Sequence, residues 1–146
     1  MMGLQGAGCC AGVANMATSE SRQRRPDGSD RSRMAVGRHG EDVAAAYLRS
    51  IGMRILDRNW RSNVGELDIV ALDADTVVAV EVKTRTGDRY GGPLDAVPGR
   101  KLARIRKLTG QWLACHDCEA ARIRVDVIGI VRPHGGPASL LHLRGV

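Results

Sequence analysis

A chain of 146 residues has the length of one ordinary domain, and no apolar run in it approaches the roughly 20 residues that a membrane-spanning helix needs. Its 22 lysines and arginines outnumber its 16 aspartates and glutamates, and the net charge of +6 favours a polyanionic partner such as nucleic acid or an anionic membrane surface. The first residues lack the basic and apolar segments of a signal peptide. We therefore expect a cytoplasmic protein whose cysteines are reduced thiols.

Residues 1–33 are rich in Gly, Ser, Ala and Arg and show no hydrophobic periodicity. Such a composition cannot bury enough apolar surface to offset the entropy that ordering the chain would cost. The sequence therefore predicts a disordered basic tail over residues 1–33, followed by one folded domain over residues 34–146.

Hydrophobic periodicity and turn residues predict the elements of that domain. The first is a helix over 34–52, with Ala44, Leu48 and Ile51 on its inner side and Gly52 at its end. There follow a strand over 53–61, two hairpin strands over 65–72 and 77–84, a Gly/Pro-rich loop over 86–99, a helix over 99–115, a strand over 121–132 and an edge strand over 139–144. This order predicts an α/β fold with a mixed sheet flanked by helices.

The hairpin carries charged residues inside its most apolar stretch, "GELDIVALDADTVVAVEVKTR". With Ala74 and Asp75 as the turn, Asp68 falls opposite Glu81 and Glu66 opposite Lys83, all four on one face. Facing carboxylates repel each other, and burial strengthens the repulsion. Either Lys83 or a divalent cation such as Mg²⁺ or Mn²⁺ would offset it. The alternative is an ordinary solvent-exposed strand face with a cross-strand ion pair.

Asp68 followed by Glu81-Val82-Lys83 resembles the D…(D/E)-x-K signature of restriction-endonuclease-like nucleases. The wider set of motifs closely resembles the YraN-like family of uncharacterised bacterial proteins: "GRHGEDVAAAYL", "RNWRSNVGELDIVALD", "VAVEVKTRTGDRYGGP", "KLARIRKLTGQWL" and "RIRVDVIGI". The resemblance covers residues 36 to 132 and implies the endonuclease-like α-β-β-β-α-β core. It is more distantly similar to archaeal Holliday-junction resolvases, which implies a nuclease.

The resemblance also implies roles for individual residues. Asp68 and Glu81 match the metal-ligand positions, with the carbonyl of Val82 as a further ligand, and Lys83 matches the catalytic lysine. Glu41 falls where related nucleases carry an acidic residue on the first helix. Its spacing from Ala44, Leu48 and Ile51 independently extends the inner side of that helix, although a first-turn Glu is also favoured by the helix dipole.

A basic stripe on the second helix predicts contact with DNA phosphates. Its members recur at helical spacing, and two neighbours join them: Arg100, Arg104 and Lys107, with Lys101 and Arg85. A solvated helix face is the alternative reading. Aromatic residues are too few for a platform that stacks single-stranded bases, so duplex or branched DNA is the expected substrate.

Three functions follow from these patterns. The first is a Mg²⁺- or Mn²⁺-dependent DNA endonuclease with catalytic Glu41, Asp68, Glu81 and Lys83 and no membrane partner. The second is a non-catalytic nucleic-acid-binding module of the same fold, and the third is a structural protein that forms a homodimer through its sheet edge. Asp126 is expected to be structural, and the Cys115/Cys118 pair is typical of a helix end rather than a metal or redox site.

Overall fold

A computed structural model describes residues 28–87, 98–118, 120–133 and 135–146. The elements are α1 (Gly28–Ser50), β1 (Arg54–Ser62), β2 (Gly65–Asp73), β3 (Thr76–Thr86), α2 (Gly99–Cys115), β4 (Arg122–Arg132) and β5 (Ser139–Leu143). Residues 1–27 of the predicted tail and residues 88–97 of the predicted loop lie outside the described residues. None of the described helices is both long and apolar enough to cross a membrane.

The strands form one five-stranded sheet in the order β1-β2-β3-β4-β5. Strands β3 and β4 are parallel because α2 connects them as a crossover, and the other neighbouring strands are antiparallel. The α/β class with a mixed sheet flanked by helices is therefore confirmed. The predicted second helix, 99–115, has the observed bounds of α2.

Each face of the sheet is covered by one helix, so the strands are apolar on both sides. Helix α1 buries Ala44 and Leu48 against β-strand residues such as Ile69. Helix α2 buries Leu108 and Trp112 against the opposite face. The charged residues of the hairpin therefore interrupt a sheet whose two faces are both covered, and a simple solvent-exposed strand face does not describe it.

Helix α1 differs from the prediction at both ends, since it begins at Gly28 and stops at Ser50. The last turn is closed by hydrogen bonds from Gly52 N–H to the Arg49 carbonyl (3.0 Å) and from Met53 N–H to the Leu48 carbonyl (3.0 Å). Gly52 has a φ of 89°, the left-handed conformation that ends many helices. Ile51 falls in this turn and is 37% exposed, so its predicted place on the inner side was wrong.

A fully buried carboxylate, Asp126, ties β4 to its neighbours. It accepts hydrogen bonds from the guanidinium of Arg124 (2.9 and 3.0 Å), from His142 Nε2 (3.0 Å) and from the Gly145 N–H (3.0 Å). Arg124 also donates to Asp73 at the end of β2. Burial alone raises the pKa of Asp126, but these hydrogen bonds outweigh it and hold the pKa below its ordinary value. The structural role expected for Asp126 follows from this network.

The two edges of the sheet are formed by β1 and β5. Strand β5 leaves Leu141 (45%) and Leu143 (38%) exposed. The homodimer predicted at a sheet edge stays a prediction.

Candidate active site

The predicted hairpin register holds from Asp73↔Thr76 to Ile69↔Val80, where the pairing of β2 with β3 ends. Beyond that point β2 remains paired with β1, while β3 remains paired with β4. The two strands therefore separate as at a fork. Asp68 and Glu81 are the first residues beyond the last pair, so both carboxylates lie at the mouth of the fork.

A cavity of about 370 Å³ occupies the fork. Its lining includes Glu41 from α1, Asp68 from β2, and Glu81, Val82 and Thr84 from β3. Three carboxylates that are distant in sequence thus reach one cavity. Lys83 is not among the lining residues.

Gly40 allows α1 to approach β3 closely enough for Glu41 to line this cavity. It is buried, and a Cβ atom added to it would overlap Thr84 Oγ1 and lie 3.1 Å from Thr84 Cβ. Turning the Thr84 side chain would not remove the contact, because the 3.1 Å approach to Thr84 Cβ is the same in every rotamer. Glycine is therefore required at this contact.

Asp68 is poorly compensated for a carboxylate in a covered site. Its Oδ2 accepts one hydrogen bond, from the Val82 N–H at 2.8 Å. Burial, and then the negative charge of Glu81, raise its pKa from 3.8 to about 7, with a further contribution from Glu41. Near neutral pH, Asp68 is therefore divided between its protonated and charged forms.

Glu81 is held by Lys101, which lies in the first turn of α2 and forms an ion pair with Glu81 Oε1. The side chains are 31% exposed for Lys101 and 15% for Glu81. Lys101 was predicted as a further DNA-binding residue beside the basic stripe, and in the structure its ammonium contacts Glu81. The same ammonium lowers the pKa of Asp68, an effect smaller than the burial and the Glu81 charge that raise it.

Two further oxygens in the cavity, Glu41 Oε2 and Thr84 Oγ1, are buried and have no hydrogen-bond partner among the described residues. Buried polar atoms are nearly always paired, and an unpaired one costs stability. The cavity therefore contains polar oxygens that no group of the described residues satisfies.

The oxygens of the cavity are of the chemical type that binds a divalent cation, but their positions do not form a metal site. Carboxylate and carbonyl oxygens are the ligands that Mg²⁺ and Mn²⁺ prefer, and the cavity offers both. Within the described ranges, however, no three His, Cys, Asp or Glu side chains are placed to hold a metal ion. In this arrangement Glu81 Oε1 is engaged by the Lys101 ammonium.

Lys83 lies on β3 two residues beyond Glu81 and is partly buried. Among the described residues it has no hydrogen-bond or ion-pair partner. The predicted pairing of Glu66 with Lys83 was wrong. Glu66 lies opposite Arg61 of β1 and forms an ion pair with it (3.1 Å), because β2 follows β1 after the fork.

The remaining predicted basic residues are on the surface. Arg100, Arg104 and Lys107 are exposed on α2, and Arg85 is exposed on β3. Arg104 lies beside Gly65 at the start of β2. The exposed part of the basic stripe therefore runs along α2 from the end that carries Lys101.

Cys115 is the last residue of α2, and Cys118 follows it at a partly buried position. Neither cysteine forms a disulfide bond within the described residues. Sequence analysis gave their place at a helix end correctly.

Comparison with known proteins gives consistent matches. The family model described as "Uncharacterised protein family UPF0102" matches residues 40–130, a stretch that includes Glu41, Asp68, Glu81 and Lys101. A UPF0102 protein of Frankia casuarinae is 51% identical over 115 residues, which are 79% of this chain and 98% of the relative. UPF0102 proteins of Beutenbergia cavernae (47% over 116 residues, 80% and 98%) and Mycobacterium tuberculosis (52% over 120 residues, 79% and 94%) are similarly related.

Proposed function

The chain belongs to the uncharacterised protein family UPF0102, the YraN-like family that its motifs resemble, and from this premise we propose that it is a metal-dependent DNA endonuclease. It would hydrolyse phosphodiester bonds in duplex or branched DNA. The observation that carries the proposal is the convergence of Glu41, Asp68 and Glu81 on one cavity at the fork of the sheet.

The cluster has the properties of a functional site rather than a structural one. Asp68 has a raised pKa, and Glu41 has an unpaired buried oxygen, so both lower the stability of the fold. A cluster that only stabilised the fold would supply partners, as the surroundings of Asp126 do. A ligand that needs negative oxygens would account for the arrangement.

Asp68, Glu81 and the Val82 carbonyl are the groups that would hold Mg²⁺ or Mn²⁺. When bound, such an ion lowers the pKa of water and stabilises negative charge on a phosphate. The Val82 N–H fixes the Asp68 carboxylate at 2.8 Å, so that one ligand is already oriented toward β3. Glu41 supplies a further unpaired oxygen that would accept a proton or a hydrogen bond from a water molecule.

Lys83 supplies the positive charge that the reaction requires. Its ammonium has no partner among the described residues, so none of their carboxylates competes for it. Strand alternation places it on the same side of β3 as Glu81. Lys83 would hold the attacking water or stabilise the charge that develops on the phosphate oxygens.

The exposed basic residues of α2 would bind the DNA backbone. Arg100, Arg104 and Lys107 are free to approach phosphates from the surface, and the chain as a whole carries a net charge of +6. A cytoplasmic location, where bacterial DNA is found, is part of this proposal.

One observation favours a second candidate, a DNA-binding module without turnover. Lys101 neutralises Glu81 without any metal, so the cluster is partly compensated as it stands. Metal-dependent cleavage distinguishes the two functions, because the binding module would retain salt-sensitive DNA affinity and cut nothing.

The test is a cleavage panel of linear, flapped and four-way-junction DNA, each with and without Mg²⁺ or Mn²⁺. We expect cleavage only with metal. Absence of cleavage on every substrate, combined with DNA binding that weakens with salt, would establish the second candidate instead.

Two variants identify the source of any activity. Lys83→Ala should abolish cleavage and leave DNA affinity nearly unchanged, because its contribution is made in the transition state. Arg104→Ala should weaken binding, most clearly at raised salt, and keep the rate at saturating DNA. If Lys83→Ala cuts as fast as the wild type, the assigned site is not the source of the activity.

A further inference from the structure

Lys101 is an unusual residue for its position. It lies in the first turn of α2, a turn that contains no acidic residue. The N-terminal end of a helix carries partial positive charge, so an ammonium group there is electrostatically unfavourable. Its ion pair with Glu81 offsets this cost, which indicates that the lysine is placed for the carboxylate and not for the helix.

The ammonium is also close enough to affect a second carboxylate of the cluster. It lowers the pKa of Asp68, so it acts on both carboxylates that line the fork. No three acidic side chains of the described residues are arranged to hold a metal ion while this pair exists. The positive charge of Lys101 and that of a divalent cation therefore compete for the same oxygens.

We propose that Lys101 is a built-in cation that neutralises Glu81 before metal binds, and that the metal site assembles only when Lys101 releases this carboxylate. This inference rests on the proposed function, since it concerns the metal site of the endonuclease. The released ammonium would then be available to a phosphate group of the DNA, next to the exposed Arg100 and Arg104.

The release is physically accessible. The Lys101 side chain is 31% exposed, and its flexible four-carbon stem can move the ammonium into solvent. A partly exposed ion pair contributes little stability, whereas a divalent ion bound by several carboxylates gains far more. A lysine can therefore protect the metal-free protein from carboxylate repulsion and still yield to the metal.

The experiment is Mn²⁺ titration calorimetry on the wild type, Lys101→Gln and Lys107→Gln. Glutamine at position 101 keeps a hydrogen-bond donor and removes the charge. Lys107 is exposed on the same helix, so its variant changes the net charge equally without touching Glu81. Lys101→Gln should bind Mn²⁺ about tenfold more tightly than the wild type, the size of an ordinary coupling between sites, and Lys107→Gln should match the wild type.

Stability measurements give an independent readout. Without metal, Lys101→Gln should have a lower thermal midpoint than Lys107→Gln, because Asp68 and Glu81 lose their nearest positive charge. Saturating Mn²⁺ should raise the midpoint of Lys101→Gln more than that of the wild type. Lys101→Arg is a second variant that keeps the charge, and it should weaken Mn²⁺ binding because a guanidinium holds a carboxylate through two hydrogen bonds.

The possible outcomes separate this inference from the proposed function. Equal Mn²⁺ affinity in the wild type, Lys101→Gln and Lys101→Arg would overturn the role of Lys101 and leave the metal site standing. If only Lys101→Gln bound Mn²⁺, the result would support the inference that Lys101 blocks the metal site completely in the wild type. Absence of Mn²⁺ binding in all of the variants would overturn both the metal-dependent function and the inference.

Discussion

Asp126 and Asp68 both lie at covered positions on strands of the same sheet, but the protein supplies many hydrogen bonds to the first and few to the second. Asp126 is fully buried and receives hydrogen bonds from Arg124, His142 and the Gly145 N–H, so its pKa is lowered. Asp68 receives one hydrogen bond, from Val82, and faces negative charge, so its pKa is raised to about 7. The supply of partners, rather than burial, decides whether a buried carboxylate stabilises this fold.

The difference also has a topological cause. Asp126 lies on β4, between β3 and β5, and its donors come from β4 itself, from β5 and from the residue Gly145 that follows β5. Asp68 lies where β2 and β3 have just separated, and among the described residues only the Val82 N–H donates a hydrogen bond to its carboxylate. At the fork, a ligand can therefore supply the positive charge or hydrogen bonds that the sheet does not give to the Asp68 carboxylate.

The largest effect is expected from Asp126→Asn. The substitution removes the charge that compensates Arg124, and breaking a buried ion pair costs about 3 kcal/mol or more. Denaturant unfolding, followed by circular dichroism, would measure the loss in the free energy of unfolding. A loss below about 1 kcal/mol, the size of an ordinary surface change, would mean that the Asp126 carboxylate does not stabilise the fold as proposed.

Asp68→Asn should change stability in the other direction. The pKa of Asp68 rises from 3.8 to about 7 on folding, so between these pH values the folded protein binds more protons than the unfolded chain. Stability of the metal-free wild type should therefore fall as the pH rises through this range, and that of Asp68→Asn should not. At pH 8 we expect the variant to be more stable by roughly 2 kcal/mol, about half the full value of such a shift because Asp68 keeps some contact with solvent.

The same unfolding measurement at pH 3.5 is the control for Asp68→Asn. There the wild-type carboxyl is protonated in the folded protein, and the two proteins should have nearly equal stability. A gain that is the same at pH 3.5 and pH 8 would show that the raised pKa is not its cause.

Metal affinity should depend on pH for the same reason. Below about pH 7 a metal ion must displace the proton of Asp68. Mn²⁺ affinity should therefore rise about tenfold per pH unit toward neutrality, as expected for the release of one proton, and level off above pH 7. Calorimetry in buffers of different ionisation enthalpy would count the protons released, and an affinity that is constant between pH 5.5 and 7 would contradict the assignment of Asp68.

The smallest effect is expected from His142→Ala in combination with Asp126→Asn. His142 is 4% exposed and its Nε2 lies 3.0 Å from Asp126 Oδ2, so the hydrogen bond between them should contribute about 1 kcal/mol. A double-mutant cycle isolates this coupling from the packing of His142 against Tyr47. A coupling energy near zero would remove His142 from the network around Asp126.

The sequence predicted the hairpin well because its information is local. The two-residue turn at Ala74 and Asp75 sets the register, and the pairing from Asp73↔Thr76 to Ile69↔Val80 follows it. The end of that pairing was not predicted, since β2 and β3 separate through their attachments to β1 and β4. For this reason Glu66 was assigned to Lys83 when its partner is Arg61.

Contacts between distant elements account for what was missed in the site. The spacing of Lys101 fits the basic side of α2, and its selection by Glu81 depends on how α2 lies across the sheet. Two of the donors around Asp126, His142 Nε2 and the Gly145 N–H, likewise come from β5 and the residues after it. A signal was present in the first turn of α2, where a lysine opposes the helix dipole, and it points to a nearby acidic partner.

Gly40 bears on how tolerant the site is of sequence change. It has no functional group, yet one added carbon would collide with Thr84 and displace the helix that carries Glu41. In a survey of every single substitution, position 40 should therefore behave like a reactive residue, losing activity with alanine while the sheet stays folded. Loss of function on mutation of Gly40 would then show that α1 must lie close to β3, and not that Gly40 takes part in the chemistry.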